Sequence, residues 1–415
     1  MRASWRPALF AGIAAGMLLS GFLQRSAAQT PAGTAGISDG VVKLGLILDL
    51  SGPYSEVSGI GSATAARMAV ADFGGRVLGA PIEVMIADHE NNSGRALAIA
   101  RDWIDNQHLD AIMDVSGSSE AVLVQRFADV RHKLVSISSA AAIRLSNESC
   151  TPTSIHYVSN TRAVARAVGG ALLARGADTW FFITVDYGFG YDLENDTTEV
   201  IEARGGKVLG RARHPLTARD FGSYLARAQE SKAKVIALAN AGSNLEDTIR
   251  QAARLGMIPG PQLFAAPSLR ITGVNSLGLE ITQGMALAES FYWDADAATR
   301  AWAKRFFDLV KRMPNSLHAG VYSSTMHYLN AVKQTGTDAT DAVLKAMRDT
   351  PVNDFFAHDA RIRADGVLVH DLHLFQVKSP AESRYPWDYL RPLATVPGTE
   401  AFGSPAESKC PLMQR

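Results

Sequence analysis

Short apolar runs alternate with amphipathic helical patterns along this chain, and that alternation limits the fold class more than any other feature. The run that begins at Val41 stops at the turn Ser51–Tyr54, and a helical pattern follows with Ala63 and Val70 on one face. Apolar runs bounded by turn residues are typical of parallel strands covered on both faces. Strands that alternate with helices in this way predict an α/β fold with right-handed crossovers.

The alternation occurs twice, which predicts two lobes of the same local construction in tandem. In the first half, the strands predicted after the opening one are Ile82–Asp88, Leu109–Val115 and Lys133–Ser138. The chain is expected to leave this lobe near Ile155–Val158. In the second half, the predicted strands are Thr179–Asp186, Lys207–Arg211, Lys234–Asn240 and Gln262–Ala265. Because ligands of open α/β sheets bind beyond the carboxyl ends of the strands, Ser51–Tyr54 is expected to line a site.

The last third of the chain predicts a return segment, three helices and a hairpin. Met285–Tyr292 is apolar and extended, and it is expected to carry the chain back to the first lobe. Helices are expected at Ala297–Met313, His318–Thr335 and Asp341–Arg348. His358–Lys378 alternates like a hairpin about Asp365–Gly366. From Ser379 onward, several Pro and Gly residues predict irregular structure.

The first residues carry the pattern of an export signal. Arg2 and Arg6 precede the small apolar stretch Ala8–Leu23, and Ser26–Ala28 offers small residues for cleavage. This pattern predicts a secretory signal peptide over residues 1–28 and an exported mature protein. The alternative is an N-terminal membrane anchor, which the short run rich in Ala and Gly disfavours.

Charge and cysteine content restrict the partners. Lys+Arg and Asp+Glu both number 41, and a formal net charge of zero argues against a nucleic-acid partner. The two cysteines, Cys150 and Cys410, are expected to pair in an oxidising compartment, and the alternative is two free thiols. Two cysteines without neighbouring ligands do not make a metal site, and no cofactor is predicted.

The turn Ser116–Ser119 is the strongest candidate for ligand chemistry. It stands at a predicted strand-to-helix junction, where free backbone N–H groups and serine hydroxyls bind an anion well. The alternative is that these serines only cap the helix. Ser138–Ala141 ends the neighbouring strand and has the same two interpretations. Tyr187–Gly190 ends a strand of the second lobe, where its aromatic rings would pack on an apolar ligand or simply within the loop.

The sequence offers little support for catalysis. Ser118 lacks the Gly-x-Ser-x-Gly pattern of a nucleophile elbow, and the Gly-x-Gly of Tyr187–Gly190 lacks the third glycine of a dinucleotide loop. His89 could reach the cleft, but no acid and nucleophile join it. His370 and His373 would face opposite sides of an alternating stretch, which makes them a poor metal pair and predicts surface positions.

Taken in order, several motifs resemble one known family. They are Leu50–Tyr54, Ser116–Ser119, Ile137–Ala140, Asp186–Gly190 and Ile249–Gly256. Over roughly residues 41–378, the chain resembles the type I periplasmic substrate-binding proteins of ABC transporters, within the branched-chain amino acid-binding family.

The resemblance implies two Rossmann-like lobes joined by a three-segment hinge, which close on a small solute. Lobe 1 would comprise residues 41–158 and 292–352, and lobe 2 residues 159–291 and 353–395. Residues 396–415 would form a C-terminal tail. The partners implied are a small carboxylate and the permease of an ABC transporter, with the binding protein itself a monomer.

The resemblance also implies a ligand-binding set. The carboxylate would be held by Ser118, Ser119 and the Ser139–Ala140 region, and Tyr187 would contact the ligand from lobe 2. The whole predicted set is Tyr54, Ser118, Ser119, Ser139, Ala140, Tyr187, Asn240 and Ser268.

One departure from the family pattern bears on the ligand. Amino-acid binders of this family carry an acidic residue where this chain has Ser268, and that residue pairs with the ligand ammonium. A buried ammonium without a counter-charge is unfavourable by several kcal/mol, so an acid without an amino group is favoured. Arg270 in the same loop would add a positive contact.

The chain is similar to a subgroup that binds aromatic acids, on the residues Phe291–Asp294, Ala319–Tyr322 and Cys150–Pro152. An aromatic acid is therefore the leading ligand class, and the alternative is that Phe291–Trp293 simply packs the hinge. Branched-chain or other amino acids are the alternative ligands. A sensory ligand-binding module and a secreted α/β hydrolase are the alternative functions.

Overall fold

The structure is a computed structural model that describes residues 36–414. The predicted signal peptide, residues 1–28, lies outside the described residues.

A six-stranded sheet forms the centre of the first lobe. In chain order its strands are β1 (Val42–Leu48), β2 (Arg76–Val77), β3 (Ala80–Asp88), β4 (Ala111–Val115), β5 (Leu134–Ile137) and β6 (Ser154–His156). The helices between them are α1 (Gly59–Phe73), α2 (Ser93–Asp105) and α3 (Ser118–Val130). The spatial order is β2-β3-β1-β4-β5-β6, and β2 alone among these strands runs antiparallel to its neighbour.

The position of β1 explains where the first lobe can bind a ligand. Its sequence, Val-Lys-Leu-Gly-Leu-Ile-Leu, is buried over nearly its whole length, and it pairs in parallel with β3 on one side and β4 on the other. The chain thus winds outward in opposite directions from β1. The crevice at the carboxyl ends of such strands is the expected ligand position in an open α/β sheet.

The second lobe repeats this arrangement on a four-stranded parallel sheet. Its strands are β7 (Thr179–Val185), β8 (Lys207–His214), β9 (Val235–Ala239) and β10 (Leu263–Ala265), in the order β10-β9-β7-β8. Its helices are α4 (Thr161–Val164), α5 (Gly170–Leu173), α6 (Gly188–Ala203), α7 (Gly222–Glu230), α8 (Gly242–Arg254), α9 (Ile271–Leu277) and α10 (Leu279–Thr282). A π-helical turn, Ala165–Gly169, separates α4 from α5. β7 lies between β8 and β9, as β1 lies between β3 and β4.

The remaining elements complete both lobes. They are β11 (Ala286–Glu289), α11 (Ala297–Val310), α12 (Ser316–Thr335), α13 (Thr340–Asp349), β12 (Arg361–Ile362), β13 (Leu368–Val369), β14 (Leu372–Val377), β15 (Leu390–Val396) and α14 (Gly398–Ala401). The strands β11, β14 and β15 form a three-stranded antiparallel sheet. α12 packs along α1, and the Asn315 side chain fixes its start by accepting bonds from Leu317 N and His318 N. The residue limits predicted for the lobes stay predictions.

Two sequence expectations for the last part of the chain were wrong or incomplete. The segment after Ser379 was expected to be irregular, yet it contains β15. This strand is an exposed sheet edge and carries Pro392, so it lacks the apolar alternation of a covered strand. The hairpin about Asp365–Gly366 forms, but only β12 and β13 pair across it.

His370 is buried, although the sequence predicted a surface position. Its ring packs edge-on against Phe356 and Phe402, at centroid distances of 5.2 and 5.1 Å. These aromatic neighbours come from distant parts of the chain, so the local alternation could not reveal them.

Cys150 and Cys410 form the predicted disulfide, with their Cα atoms 5.7 Å apart. The bond closes a sequence separation of 260 residues and ties the end of the chain to the loop between β5 and β6. Within residues 36–414, no helix combines the length and the apolar character that a membrane span needs.

Candidate functional site

A cavity of about 520 Å³, including its open mouth, lies between the carboxyl ends of the strands of the two sheets. Six residues of the predicted set line it: Tyr54, Ser118, Ser139, Ala140, Tyr187 and Ser268. The other lining residues are Val57, Ser58, Ser116, Gly117, Ala141, Phe189, Ala241, Gly242, Arg270 and Leu317.

Two residues of the predicted set are not part of this lining. Ser119 is half-buried and lies one position further into α3 than Ser118. Asn240 is fully buried, and its amide nitrogen lies 3.2 Å from His214 Nε2 and 3.3 Å from Thr248 Oγ1. Ala241 and Gly242, directly after it, line the cavity instead. The ligand contacts predicted for the whole set stay predictions.

The turn after β1 is shaped by Asp49. Its carboxylate accepts hydrogen bonds from Gly52 N at 2.6 Å and from Tyr54 N at 2.8 Å. Asn91 Nδ2 adds a third at 2.8 Å. Because three donors converge on one buried carboxylate, the turn holds Tyr54 in place at the rim of the cavity.

Ser116 is a lining residue that the predicted set omitted. Its Oγ accepts a hydrogen bond from Asp49 N at 2.5 Å and lies 3.1 Å from His89 Nε2. His89 Nδ1 accepts from Asn91 N at 3.0 Å, so the ring proton is on Nε2 and points at Ser116. With two donors directed at its oxygen, the Ser116 hydroxyl has its own hydrogen free to donate.

Ser118 begins α3 without capping it. The N-cap residue is Gly117, with φ +83° and no side-chain cap, so the capping alternative does not account for this turn. A Cβ at Gly117 would lie 2.3 Å from Glu120 Oε2. Ser118 Oγ accepts a long hydrogen bond, 3.3 Å, from Ala142 N. The hydroxyl and the helix start together make an environment suited to an anion.

Ser139 has the opposite hydrogen-bond polarity. Its hydroxyl donates to Asp114 Oδ2 at 2.5 Å. Asp114 Oδ1 accepts from Ser138 N at 3.0 Å and from Ser139 N at 2.9 Å. Burial raises the pKa of the Asp114 carboxyl, and these hydrogen bonds act against that rise. Ser139 therefore presents a lone pair, not a hydrogen, to the cavity.

The aromatic residues of the two lobes meet at the cavity. Tyr54 and Tyr187 share a hydrogen bond between their hydroxyls at 2.6 Å, and the rings of Tyr187 and Phe189 lie 6.1 Å apart. Burial raises the pKa of both phenols, so both are neutral near pH 7.

Arg270 places a buried cation in the lining. Its Nη1 donates to Glu289 Oε2 at 2.8 Å and to Ala288 O at 3.2 Å, and the hydroxyl of Ser316 also donates to Glu289. Burial raises the pKa of the Glu289 carboxyl, and the positive charge of Arg270 acts against that rise. Within residues 36–414, the hydrogen bonds of the Arg270 guanidinium come from Nη1 alone. Nε and Nη2 are thus available to a ligand.

The two lobes touch around the cavity. Ser243 N donates to Pro53 O at 3.0 Å, and Arg144 Nε donates to Asp192 Oδ2 at 2.8 Å. Gly242 lies so close to Pro53 that an added Cβ would stand 2.1 Å from Pro53 O. The lobes therefore adopt a closed arrangement. In the part of the chain that the structure describes, no group of three His, Cys, Asp or Glu side chains is arranged to hold a metal ion.

The comparisons with known proteins agree on one family. The profile described as "Periplasmic binding protein" matches residues 41–383. A periplasmic binding protein from Burkholderia mallei is 44% identical, with a TM-score of 0.88 over 90% of this chain and 100% of that one. A branched chain amino acid ABC transporter periplasmic ligand-binding protein from Burkholderia xenovorans is 33% identical, with a TM-score of 0.80 over 90% and 100%.

A more distant structure shares the fold. It is an ABC transporter solute binding protein from R. palustris in complex with benzoate, 19% identical, with a TM-score of 0.78 over 86% of this chain and 97% of that one. Among curated proteins, none matches this chain at a significant level.

Proposed function

This chain belongs to the periplasmic binding proteins of ABC transporters, and from that premise we propose that it delivers a small carboxylic acid with an aromatic body to its transporter. The family acts by binding and releasing solutes, not by converting them. Its place is the periplasm, and its partner is the permease of the transporter. We further propose that the mature protein is a monomer.

The observation that carries the proposal is the polarity of the cavity. Hydrogen-bond donors come from the hydroxyls of Ser116 and Ser118 and from Nε and Nη2 of Arg270. Among the lining residues there is no carboxylate, and Ser268 stands where the family resemblance placed an acid. Hydrogen-bond donors and the Arg270 guanidinium suit a carboxylate, whereas an ammonium group would find no carboxylate among the lining residues.

The rest of the cavity suits an apolar ligand body. Tyr54, Tyr187, Phe189, Val57 and Leu317 contribute aromatic or aliphatic surface. The R. palustris neighbours are described in complex with benzoate, 4-hydroxybenzoate and 3,4-dihydroxy benzoic acid. These descriptions support an aromatic acid as the ligand.

Amino-acid binding is the second candidate, and one observation favours it. The relative from Burkholderia xenovorans, at 33% identity, is described as a branched chain amino acid ABC transporter periplasmic ligand-binding protein.

The deciding experiment is a thermal-shift screen of the mature protein with aromatic acids, aliphatic acids and amino acids. A ligand that binds only the folded protein raises the melting temperature, and we expect benzoates and arylalkanoic acids to do so. Amino acids that raise it while simple acids do not would overturn the proposal.

Calorimetry then tests the serines that line the first-lobe side of the cavity. Ser118→Ala should weaken binding of the best acid by about 1.5–3 kcal/mol, since it removes a hydrogen bond to a charged group. Ser119→Ala is the matched control, because Ser119 is outside the lining. Equal affinities for the two variants would remove Ser118 from the site.

A further inference from the structure

The serines of the first lobe are not equivalent, because their hydroxyl hydrogens are committed differently. The Ser116 oxygen accepts from Asp49 N and from His89 Nε2, which leaves its hydrogen for the cavity. The Ser139 hydrogen is held by Asp114 at 2.5 Å. Ser116 therefore serves as a donor toward the ligand, and Ser139 serves as an acceptor.

Nothing else near Ser139 restores a free hydrogen to it. Ser62 Oγ lies 3.5 Å from Ser139 Oγ, at the outer limit for a hydrogen bond. Asp114 itself is fully buried, and both of its oxygens have donors. A ligand oxygen without a hydrogen would meet lone pairs at Ser139, which is unfavourable for a carboxylate.

We infer that Ser139 is a specificity residue that accepts a hydrogen bond from a hydroxyl on the carbon next to the ligand carboxylate. The site should therefore prefer 2-hydroxy acids to the matching acids without the hydroxyl. This inference rests on the proposed function, since it takes the carboxylate to be bound by Ser116, Ser118 and Arg270. Ser139 thereby leaves the carboxylate-binding group in which the family resemblance placed it.

The sheet sets the distance between the two polar groups of the ligand. Ser116 and Ser118 follow β4, and Ser139 follows β5, which pairs with β4 in parallel. Paired strands lie about 4.8 Å apart, so a carboxylate at Ser116 and Ser118 leaves room for one further ligand atom before Ser139. A hydroxyl on the adjacent carbon fits this spacing, whereas a para-hydroxyl on a ring lies too far away.

A hydroxyl fits this position better than an ammonium group. The lining contains Arg270 and no carboxylate, and Asp114 has no exposed surface to offer a cation. A neutral donor satisfies Ser139 without placing a second positive charge in the cavity.

The test uses ligand pairs that differ by one hydroxyl. Calorimetry on the mature protein would compare mandelate with phenylacetate, and lactate with propionate for a smaller body. Wild type should bind the hydroxy acid at least roughly tenfold more tightly, because the analogue leaves the acceptor unpaired. Acids that bind without this preference would overturn the inference and leave the proposed function standing. If no acid in either pair or in the wider screen binds, the proposed function fails and the inference falls with it.

Two variants locate the preference at Ser139. Ser139→Ala should abolish it by weakening the hydroxy acid while changing phenylacetate less than about twofold. Asp114→Asn keeps the shape but places an amide donor against the Ser139 oxygen. The hydroxyl of Ser139 is then released toward the ligand, so the preference should shrink or reverse.

Other outcomes are decisive against the inference. Equal weakening of both acids by Ser139→Ala would mean that Ser139 donates to the carboxylate. If both variants keep the wild-type preference for the hydroxy acid, the ligand hydroxyl does not bind at Ser139. If neither variant folds, the preference of the wild-type protein within each ligand pair still decides.

Discussion

The two walls of the cavity are built in opposite ways. The first-lobe wall consists of small hydroxyls at the ends of neighbouring strands, and Asp49, His89 and Asp114 fix their orientation from beneath. The second-lobe wall consists of large side chains, among them Tyr187 and Arg270. The first wall can set hydrogen-bond direction, and the second supplies apolar surface and charge.

The difference concerns preorganisation. Each hydrogen bond that orients Ser116 or Ser139 lies within the first lobe, so that wall has its polarity before the lobes meet. Tyr187, by contrast, gains its hydroxyl partner, Tyr54, only from the other lobe. We therefore expect a ligand to bind the first lobe and the second lobe to close over it.

The largest expected effect comes from removing the cation of the second wall. Arg270→Met leaves the Glu289 carboxylate, whose side chain is 2% exposed, without its counter-charge. Breaking a buried ion pair from one side should lower the free energy of unfolding by about 3–5 kcal/mol. Carboxylate affinity should fall about a hundredfold, given the strength of hydrogen bonds to charged groups. Denaturant unfolding and calorimetry measure the two effects.

The double variant Arg270→Met, Glu289→Gln separates stability from binding. It removes the unpaired charge, so much of the stability should return, but the affinity should stay low. Full recovery of affinity in the double variant would show that Arg270 only holds the fold, and the contrast between the walls would lose its charged component.

The second prediction concerns the interior of the first lobe, which supports the first-lobe wall of the cavity. Burial lowers the pKa of His327, on α12, to about 4. A folded-state pKa below the unfolded value near 6.5 means that the unfolded chain binds the proton more readily. The stability contributed by neutral His327 is thus present above pH 6.5 and lost as the pH falls through 4.

His327→Leu isolates this effect from other titrating groups. The free energy of unfolding of the variant minus that of wild type should be about 2 kcal/mol larger at pH 5 than at pH 7.5. Denaturant unfolding at the two pH values measures this difference. Buried carboxyls such as Asp110, whose pKa burial raises to about 7, act with the opposite sign and cancel in the comparison. A pH-independent difference would show that His327 is hydrated or charged in the folded protein.

The main elements of both lobes could be predicted from sequence because their signals are local. Val42–Leu48 and Thr179–Val185 are apolar runs that end in turns, and both became central strands. The expectation that ligands bind at strand ends selected Tyr54, Ser118 and Tyr187, and all three line one cavity. That inference needs only the direction of the strands.

The omitted residues depend on information that a linear pattern does not contain. Ser116 and Ser119 are in the same turn, but the phase of α3, which begins at Ser118, decides which of them lines the cavity. Asp114 was hidden inside an apolar strand. The pairing of Arg270 with Glu289 spans 19 residues and forms only in the folded chain.

The smallest predicted effect acts on the contact between the walls. Gly242 has φ +57°, and an added Cβ would stand 2.1 Å from Pro53 O and 3.0 Å from Tyr54 Cδ1. Gly242→Ala should therefore hold the lobes apart and weaken binding by roughly tenfold, about 1.4 kcal/mol, because closure becomes less favourable. Calorimetry with the best ligand of the screen measures this loss.

Gly256→Ala is a matched control for the backbone. Gly256 follows the same helix, α8, with φ +69°, and an added Cβ there would meet no atom within 4 Å. Both substitutions add about 1 kcal/mol of left-handed strain, so both should lower the melting temperature. Only Gly242→Ala should lower affinity, since only Gly242 faces the other lobe. If the two variants bind equally well, tight closure at Pro53 is not needed for binding, and the first wall alone holds the ligand.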